Sequence, residues 1–99
     1  GLVDAAGALG PFADIDGFVT VQPNQTCEWF ARKVGGNGPF SYVWKRNGTP
    51  VGTSSSYSYA VGTSGFELWL RVTDSDGWYD DKVYYVVVSA QGQQCEAKE

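Results

Sequence analysis

The chain has 99 residues, a formal net charge of −4, 42 % hydrophobic residues, two cysteines and no histidine. This size and composition predict one small domain with its own core, and they argue against disorder and against a basic patch for nucleic acid or anionic lipid. The missing histidine excludes serine–histidine and cysteine–histidine catalysis and most zinc sites, and no apolar run reaches the roughly 20 residues of a membrane helix.

The chain begins with an apolar N-terminal extension. Residues 1–12 carry one charge, at Asp4, and are otherwise small and apolar. A solvated tail would be polar, so we expect this segment to pack against protein, either its own domain or a neighbouring subunit to whose open sheet edge it adds a strand. We assign residues 1–14 to this extension as a candidate donor strand, with contacts from Leu2, Val3, Leu9 and Phe12.

Seven short segments rich in β-branched and aromatic residues follow, separated by clusters of Gly, Pro, Asn and Asp. No segment keeps an apolar period of about 3.6 residues, so we predict no α-helix. The predicted strands are residues 15–22, 26–34 and 40–46, a short strand at Val51, and residues 56–61, 66–73 and 82–89. Short strands bounded by turns in this way predict a two-sheet β-sandwich.

Alternation within the strands predicts which side chains face the core. The predicted inner residues are Trp29, Ala31, Tyr42, Trp44, Leu68, Leu70 and Val72. The last strand is apolar on both faces, so alternation does not decide which face turns inward. The two alternatives are Val83, Tyr85 and Val87, or Tyr84, Val86 and Val88.

Cys27 and Cys95 are too far apart in sequence for a redox CxxC motif or a zinc knuckle. A pair of cysteines in a small secreted domain most often forms a disulfide, and two unrelated buried thiols are the alternative. The chain contains no methionine, as expected for a secreted chain after signal-peptide removal or for a fragment. Asn24 and Asn47 begin N-x-T glycosylation sequons, although Asn47-Gly48 is also a typical turn dipeptide.

Two stretches resemble a known family of domains. Gly35-Gly36 followed by Pro39-Phe40-Ser41-Tyr42-Val43-Trp44 resembles the GG…PYxYxW pattern of bacterial and archaeal immunoglobulin-like and PKD-like domains. Residues 68–77 (LWLRVTDSDG) are similar to their LxLxVTDSxG strand and turn, and the valine-rich last strand is similar too. The resemblance covers about residues 16–90, and it departs from the family where Trp44-Lys45-Arg46 replaces the frequent WDFGDG.

The resemblance implies an all-β, seven-strand immunoglobulin-like β-sandwich over residues 15–95, followed by a short tail over residues 96–99. In that topology the second strand starts at the end of the sandwich where the seventh strand finishes, which would bring Cys27 and Cys95 together. Antibody-type domains differ, because their second cysteine lies on the sixth strand. The resemblance also implies a secreted or surface protein that serves as a spacer, adhesion module or structural unit.

Four aspartates surround the turn at Gly77 and could supply oxygen ligands for Ca²⁺. Counted from Asp74, an EF-hand loop needs glycine and glutamate where this chain has Tyr79 and Tyr85, so that loop is excluded. Asp and Gly are also the ordinary residues of a tight turn. We therefore expect no metal and keep calcium as the second interpretation, with ligands Asp74, Asp76, Asp80 and Asp81.

Aromatic residues make up 15 % of the chain, and several are expected at the surface. Trp69 alternates with Leu68 and Leu70 and should point outward. Surface positions are also expected for Trp78 and Tyr79 after the turn, and for Tyr57 and Tyr59. Such residues serve as cross-strand pairs, as a platform for sugar stacking, or as a protein interface. The apolar extension favours the interface.

Together these observations predict an extracellular or cell-surface structural protein without catalysis or cofactor. We expect it to assemble with copies of itself, as in a surface filament, through strand addition and aromatic contacts at Trp69, Trp78 and Tyr79. The alternative is a carbohydrate-binding or adhesion module of a larger secreted protein, with polysaccharide as its partner. A small hydrolase is the third reading, but no carboxylate pair stands out for glycoside hydrolysis.

Overall fold

The computed structural model describes residues 10–96, whose regular structure consists of β-strands. The strands are β1 (Phe12–Asp16), β2 (Thr20–Val21), β3 (Thr26–Val34), β4 (Ser41–Arg46), β5 (Thr49–Gly52), β6 (Ser56–Ala60), β7 (Phe66–Thr73) and β8 (Tyr79–Val88). They form a small sheet in the order β1-β3-β6 and a large sheet in the order β2-β8-β7-β4-β5. The predicted all-β fold with two sheets is confirmed. Residues 10–96 contain no helix that is long and apolar enough to cross a membrane.

The described residues form eight strands rather than seven because the first predicted strand divides at Gly17. β1 pairs with β3 in the small sheet, whereas β2 pairs in parallel with β8 in the large sheet. Gly17 has a φ of +154°, and a Cβ at this position would overlap the Trp29 indole. The indole N–H of Trp29 donates to the Phe18 carbonyl over 2.9 Å, which fixes the crossing between the sheets.

The N-terminal boundary also differs from the prediction. β1 begins at Phe12, which lies opposite Val34 of β3, so residues 12–14 belong to the small sheet rather than to an extension. The contacts predicted for Leu2, Val3 and Leu9 lie outside the described residues. The part of the predicted extension that precedes the described residues is therefore residues 1–9.

The core lies between the sheets and contains the predicted inner residues. Trp29, Trp44, Leu68, Leu70 and Val72 are buried, and Ala31 and Tyr42 pack at its margin. Tyr57 was expected at the surface, but it is buried between Trp29 and Trp44, with ring centroids 6.4 and 6.0 Å away. The reason is that the serines of β6 face solvent and its tyrosines face inward. The last strand turns Tyr84, Val86 and Val88 inward.

The predicted disulfide joins Cys27 and Cys95, whose Cα atoms are 5.0 Å apart. The side-chain oxygen of Gln25 accepts the backbone N–H of Cys95 over 2.6 Å, and Gln93 donates its N–H to the Thr20 carbonyl over 2.9 Å. These contacts fasten the C-terminal segment, residues 91–96, to β2 and β3. We call this end the C-terminal pole and the end with Phe12, Val34 and the turn at Gly77 the N-terminal pole.

Candidate functional site

The outer face of the large sheet carries an exposed apolar row along β8. Alternate residues of this strand point outward, and four of them are large and exposed. This outer stripe consists of Tyr79, Val83, Tyr85 and Val87. Trp69 of β7 lies directly beside Val83 in the register and widens the stripe. Asp81 separates Tyr79 from the other three residues on this face. Single exposed apolar residues are ordinary, but neighbouring ones such as Val83, Tyr85 and Val87 are typical of an interaction surface.

Cationic side chains cover part of the aromatic surface. The Lys45 ammonium lies 4.8 Å from the Trp69 ring centroid, and the Arg71 guanidinium lies 5.3 Å from the same ring. Arg71 also stacks 3.9 Å from the Tyr79 centroid. As predicted, Trp69 points away from the core, but it is half-buried by these neighbours. The free aromatic surface of the stripe is therefore greatest at Tyr85, which is 63 % exposed.

Arg71 is held in this position by Asp81. Its Nε and Nη2 atoms donate to the two carboxylate oxygens over 2.7 and 3.0 Å, the bidentate arrangement that guanidinium and carboxylate favour. Hydrogen bonding to Asp81 raises the pKa of the Arg71 guanidinium above its ordinary value. This ion pair fixes the position of the Arg71 guanidinium beside Tyr79, and its two charges cancel at that end of the outer stripe.

The predicted interface residues are divided between two surfaces. Trp69 and Tyr79 share the outer face of the large sheet, where Arg71 bridges them. Phe12 lies on the small sheet, opposite Val34, and both side chains are exposed. Trp78 lies at the N-terminal pole, where a Cβ on Gly10 would approach its Cβ to 2.6 Å. Gly10, the first described residue, therefore lies against Trp78.

The four aspartates near Gly77 do not converge on one point. Asp74 is buried and accepts the backbone N–H groups of Asp76 and Trp78, both over 3.0 Å, so it stabilises the turn. Asp80 accepts the N–H of Ala13 over 2.8 Å, whereas Asp81 points to the opposite face and binds Arg71. Among residues 10–96, no three His, Cys, Asp or Glu side chains form a group that could hold a metal.

A half-open groove lies beside the disulfide at the C-terminal pole. It has a volume of about 380 Å³, and its lining residues are Asp16, Gly17, Phe18, Cys27, Glu28, Phe30 and Cys95. Phe18 and Phe30 are both nearly half exposed. Two features of the sequence could have indicated this groove: Phe30 alternates with the inner Trp29, and Gly17 interrupts a strand pattern.

The interior strands β3 and β4 carry two inward-facing cations that the sequence analysis did not single out. The Lys33 ammonium lies 4.9 Å from the Phe40 ring centroid. Arg46 stacks 4.0 Å from the Tyr59 ring centroid and donates a hydrogen bond to the Tyr57 hydroxyl. Alternation could have indicated Arg46, because it shares the inner face of β4 with Tyr42 and Trp44.

Both sequon asparagines lie in exposed turns. Asn24 and Asn47 have φ angles of 62° and 51°, which asparagine tolerates better than most residues. The side-chain oxygen of Asn47 accepts the N–H of Glu67 over 2.9 Å, so this residue has a structural role in the turn.

Comparison with known proteins adds no relative. No protein-family model matches the chain, and no curated protein matches it. A functional assignment must therefore come from the surfaces described above.

Proposed function

We propose that this chain is an extracellular structural subunit without catalytic activity, which assembles with copies of itself. The observation that carries the proposal is the outer stripe, where Val83, Tyr85 and Val87 leave consecutive apolar side chains in solvent and Tyr79 follows beyond Asp81. Burial of such a face between subunits contributes roughly 25 cal/mol per Å² before the cost of association is subtracted. The disulfide supports an oxidising compartment, since such bonds persist mainly in exported proteins.

In this proposal the fold is an immunoglobulin-like sandwich similar to PKD-like domains. The division of the first strand between the sheets and the motifs at residues 39–44 and 68–77 support that relationship. The proposed contacts are of two kinds: aromatic contacts through the outer stripe, Trp69 and Trp78, and strand addition by residues 1–9. Phe12 contributes an exposed ring at the start of β1.

Self-assembly is tested by changing the outer stripe while keeping its strand propensity. We expect the double variant Val83→Thr, Tyr85→Thr to weaken self-association at least about tenfold in sedimentation velocity, because central aromatic contacts dominate interface energies. The control, Phe30→Thr, removes a ring that is 48 % exposed on the opposite sheet, and this variant should assemble normally. A wild-type chain that stays monomeric at high concentration would contradict the proposal.

The carbohydrate-binding reading is the second candidate, because Tyr85 and Trp78 present rings to solvent. It is less favoured because cations already stack on Trp69 and Tyr79, two of the rings that a sugar platform would use. Retention of the chain on an insoluble polysaccharide, lost in Tyr85→Ala and Trp78→Ala, would favour this reading over self-assembly.

A further inference from the structure

Arg46 is a half-buried cation whose neighbours in the described structure are aromatic rather than acidic. Its guanidinium contacts the Tyr59 ring and the Tyr57 hydroxyl. The ion pairs within residues 10–96 involve Arg32, Arg71 and Lys82 instead. A partly desolvated guanidinium gains most from a carboxylate within hydrogen-bonding distance. The position of Arg46 therefore favours an acidic group supplied from outside residues 10–96.

The strand beside Arg46 has a free edge. The N–H of Val61 donates to the Gln25 carbonyl over 2.8 Å, so the odd-numbered residues of this segment direct their backbone groups toward β3. Because these groups alternate in direction along an antiparallel strand, Ser56, Ser58 and Ala60 direct theirs away from β3. Within residues 10–96, β6 pairs with β3 alone. The free edge is thus five residues long.

The other sheet edges in the described chain are less suited to accept a strand. β5 contains Pro50, which cannot donate a backbone hydrogen bond, and β2 is only two residues long. The outer edge of β1 is engaged by Asp80, which accepts the N–H of Ala13. β6 therefore offers the longest uninterrupted set of unpaired backbone groups.

We propose that the free edge of β6 accepts the N-terminal segment of a second copy as an added strand, and that Asp4 of that copy pairs with Arg46. The inference rests on the proposed self-assembly and identifies its acceptor. Asp4 is the one charged residue within residues 1–9, and it is a carboxylate, as Arg46 requires. Main-chain hydrogen bonds would supply affinity, and the ion pair would fix the register.

The segment of the same chain is too short to make this contact. Phe12 pairs with Val34 of β3, and Tyr59 pairs with Cys27 of the same strand. These two β3 residues are seven positions apart, which separates Phe12 from Tyr59 by about 24 Å along the strand direction. A strand added outside β6 lies three strand spacings from β1, about 14 Å to the side. Asp4 is six residues from Gly10 and reaches at most about 20 Å. Asp4 of a second copy is not limited in this way.

The alternation of an added strand divides residues 1–9 between two faces. If Asp4 faces inward, Leu2 and Ala6 share its face, whereas Val3, Ala5 and Leu9 face outward. On the accepting side, Val51 and Tyr59 are only partly buried at the margin of the core. Leu2 and Ala6 would extend the apolar cover over this margin.

Charge reversal tests the pairing in the full-length chain. We expect Arg46→Glu and Asp4→Arg each to weaken self-association at least tenfold in sedimentation velocity, and the combined variant to recover most of the loss. Arg32→Glu is the matched control, since Arg32 is an exposed arginine paired with Asp16 on the small sheet. It should assemble as the wild type does. No loss in Arg46→Glu, or no recovery in the combined variant, overturns the inference.

A milder pair of variants covers the case in which Arg46→Glu does not fold. Arg46→Gln and Asp4→Asn should each weaken association, and the double variant should be no weaker than either single one, since both changes remove the same interaction. Additive losses overturn the pairing. Deletion of residues 1–9 separates the two proposals. Assembly that requires these residues but is insensitive to Arg46 refutes only the β6 acceptor, whereas assembly that persists without them refutes strand addition itself.

Discussion

The two lateral sides of the sandwich differ in how completely their charges are paired. On the side of β1 and β2, which we call the closed side, Asp80 accepts the N–H of Ala13 over 2.8 Å and Lys82 lies 3.7 Å from Asp14. On the open side, formed by β5 and β6, Arg46 contacts only aromatic groups among the described residues. The comparison shows that contacts within the chain pair the charges of the closed side, whereas Arg46 on the open side has no carboxylate partner among residues 10–96.

The closed side is also held by covalent and steric constraints. The disulfide fastens the C-terminal segment whose Gln93 bonds to β2, and the strand crossing at Gly17 packs on Trp29. Changes on the closed side should therefore affect the stability of the monomer. Changes on the open side should affect assembly. The following predictions test this distinction in order of decreasing effect.

Removal of the disulfide should have the largest effect. Cys27 and Cys95 are separated by 68 positions, so the loop-entropy model assigns the bond about 4 kcal/mol of the free energy of unfolding. We expect Cys27→Ser, Cys95→Ser to lower this free energy by about that amount in urea denaturation. An unchanged denaturation midpoint would show that the C-terminal segment does not stabilise the closed side.

Gly17→Ala should destabilise the monomer by about 2–4 kcal/mol, because the added Cβ overlaps the Trp29 indole and a positive φ strains an L-residue. Gly62→Ala is the control, since no atom lies within 4 Å of its Cβ position. It should change stability by less than about 0.5 kcal/mol. Equal effects of the two substitutions on the thermal midpoint would contradict the steric account.

Asp80→Ala and Arg46→Met compare the two sides directly. Loss of the Asp80 carboxylate leaves the Ala13 N–H without its partner and should cost about 1–2 kcal/mol. Arg46→Met keeps most of the apolar contact with Tyr59 and should cost less than about 1 kcal/mol in the monomer while weakening assembly. A larger loss of monomer stability in Arg46→Met than in Asp80→Ala would contradict the expectation that the closed side, more than the open side, stabilises the monomer.

The smallest expected effect is confined to alkaline pH. Burial, with a smaller contribution from Asp14 and Asp16, raises the pKa of Tyr84 above its ordinary value of 10.0. The unfolded chain then loses this proton at lower pH than the folded chain, so stability declines as pH rises beyond 10.0. Tyr84→Phe should reduce the slope of unfolding free energy against pH in that range. Identical slopes would argue against burial of the phenol on the closed side.

The sequence predicts best where one face of a strand is clearly polar. β3 and β7 have the predicted bounds, because their inner residues alternate with outer residues that include Glu28, Arg32, Glu67 and Arg71. β8 is apolar on both faces, so its orientation depended on contacts with β7 and the core. Tyr57 was wrongly expected at the surface. The alternation of serine and tyrosine in β6 does not show which of the two the second sheet will cover.

The candidate surfaces could be predicted only in part. The outward direction of Trp69 and the disulfide followed from alternation and from the cysteine count. The separation of Phe12 from Trp69 did not, because the two residues lie on different sheets and no local pattern specifies which strands become neighbours. Likewise, alternation in the sequence places Arg46 on the inner face of its strand. It does not show that Arg46 lacks a carboxylate partner among residues 10–96.

The sequence by itself determined the strands, the turns and most of the core, because alternation and turn chemistry are local properties of neighbouring residues. Only the tertiary structure decided the division of the first strand at Gly17, the pairing of charges on the closed side and the free edge of β6. Each of these depends on contacts between residues distant in the chain, such as Gly17 with Trp29 and Ala13 with Asp80.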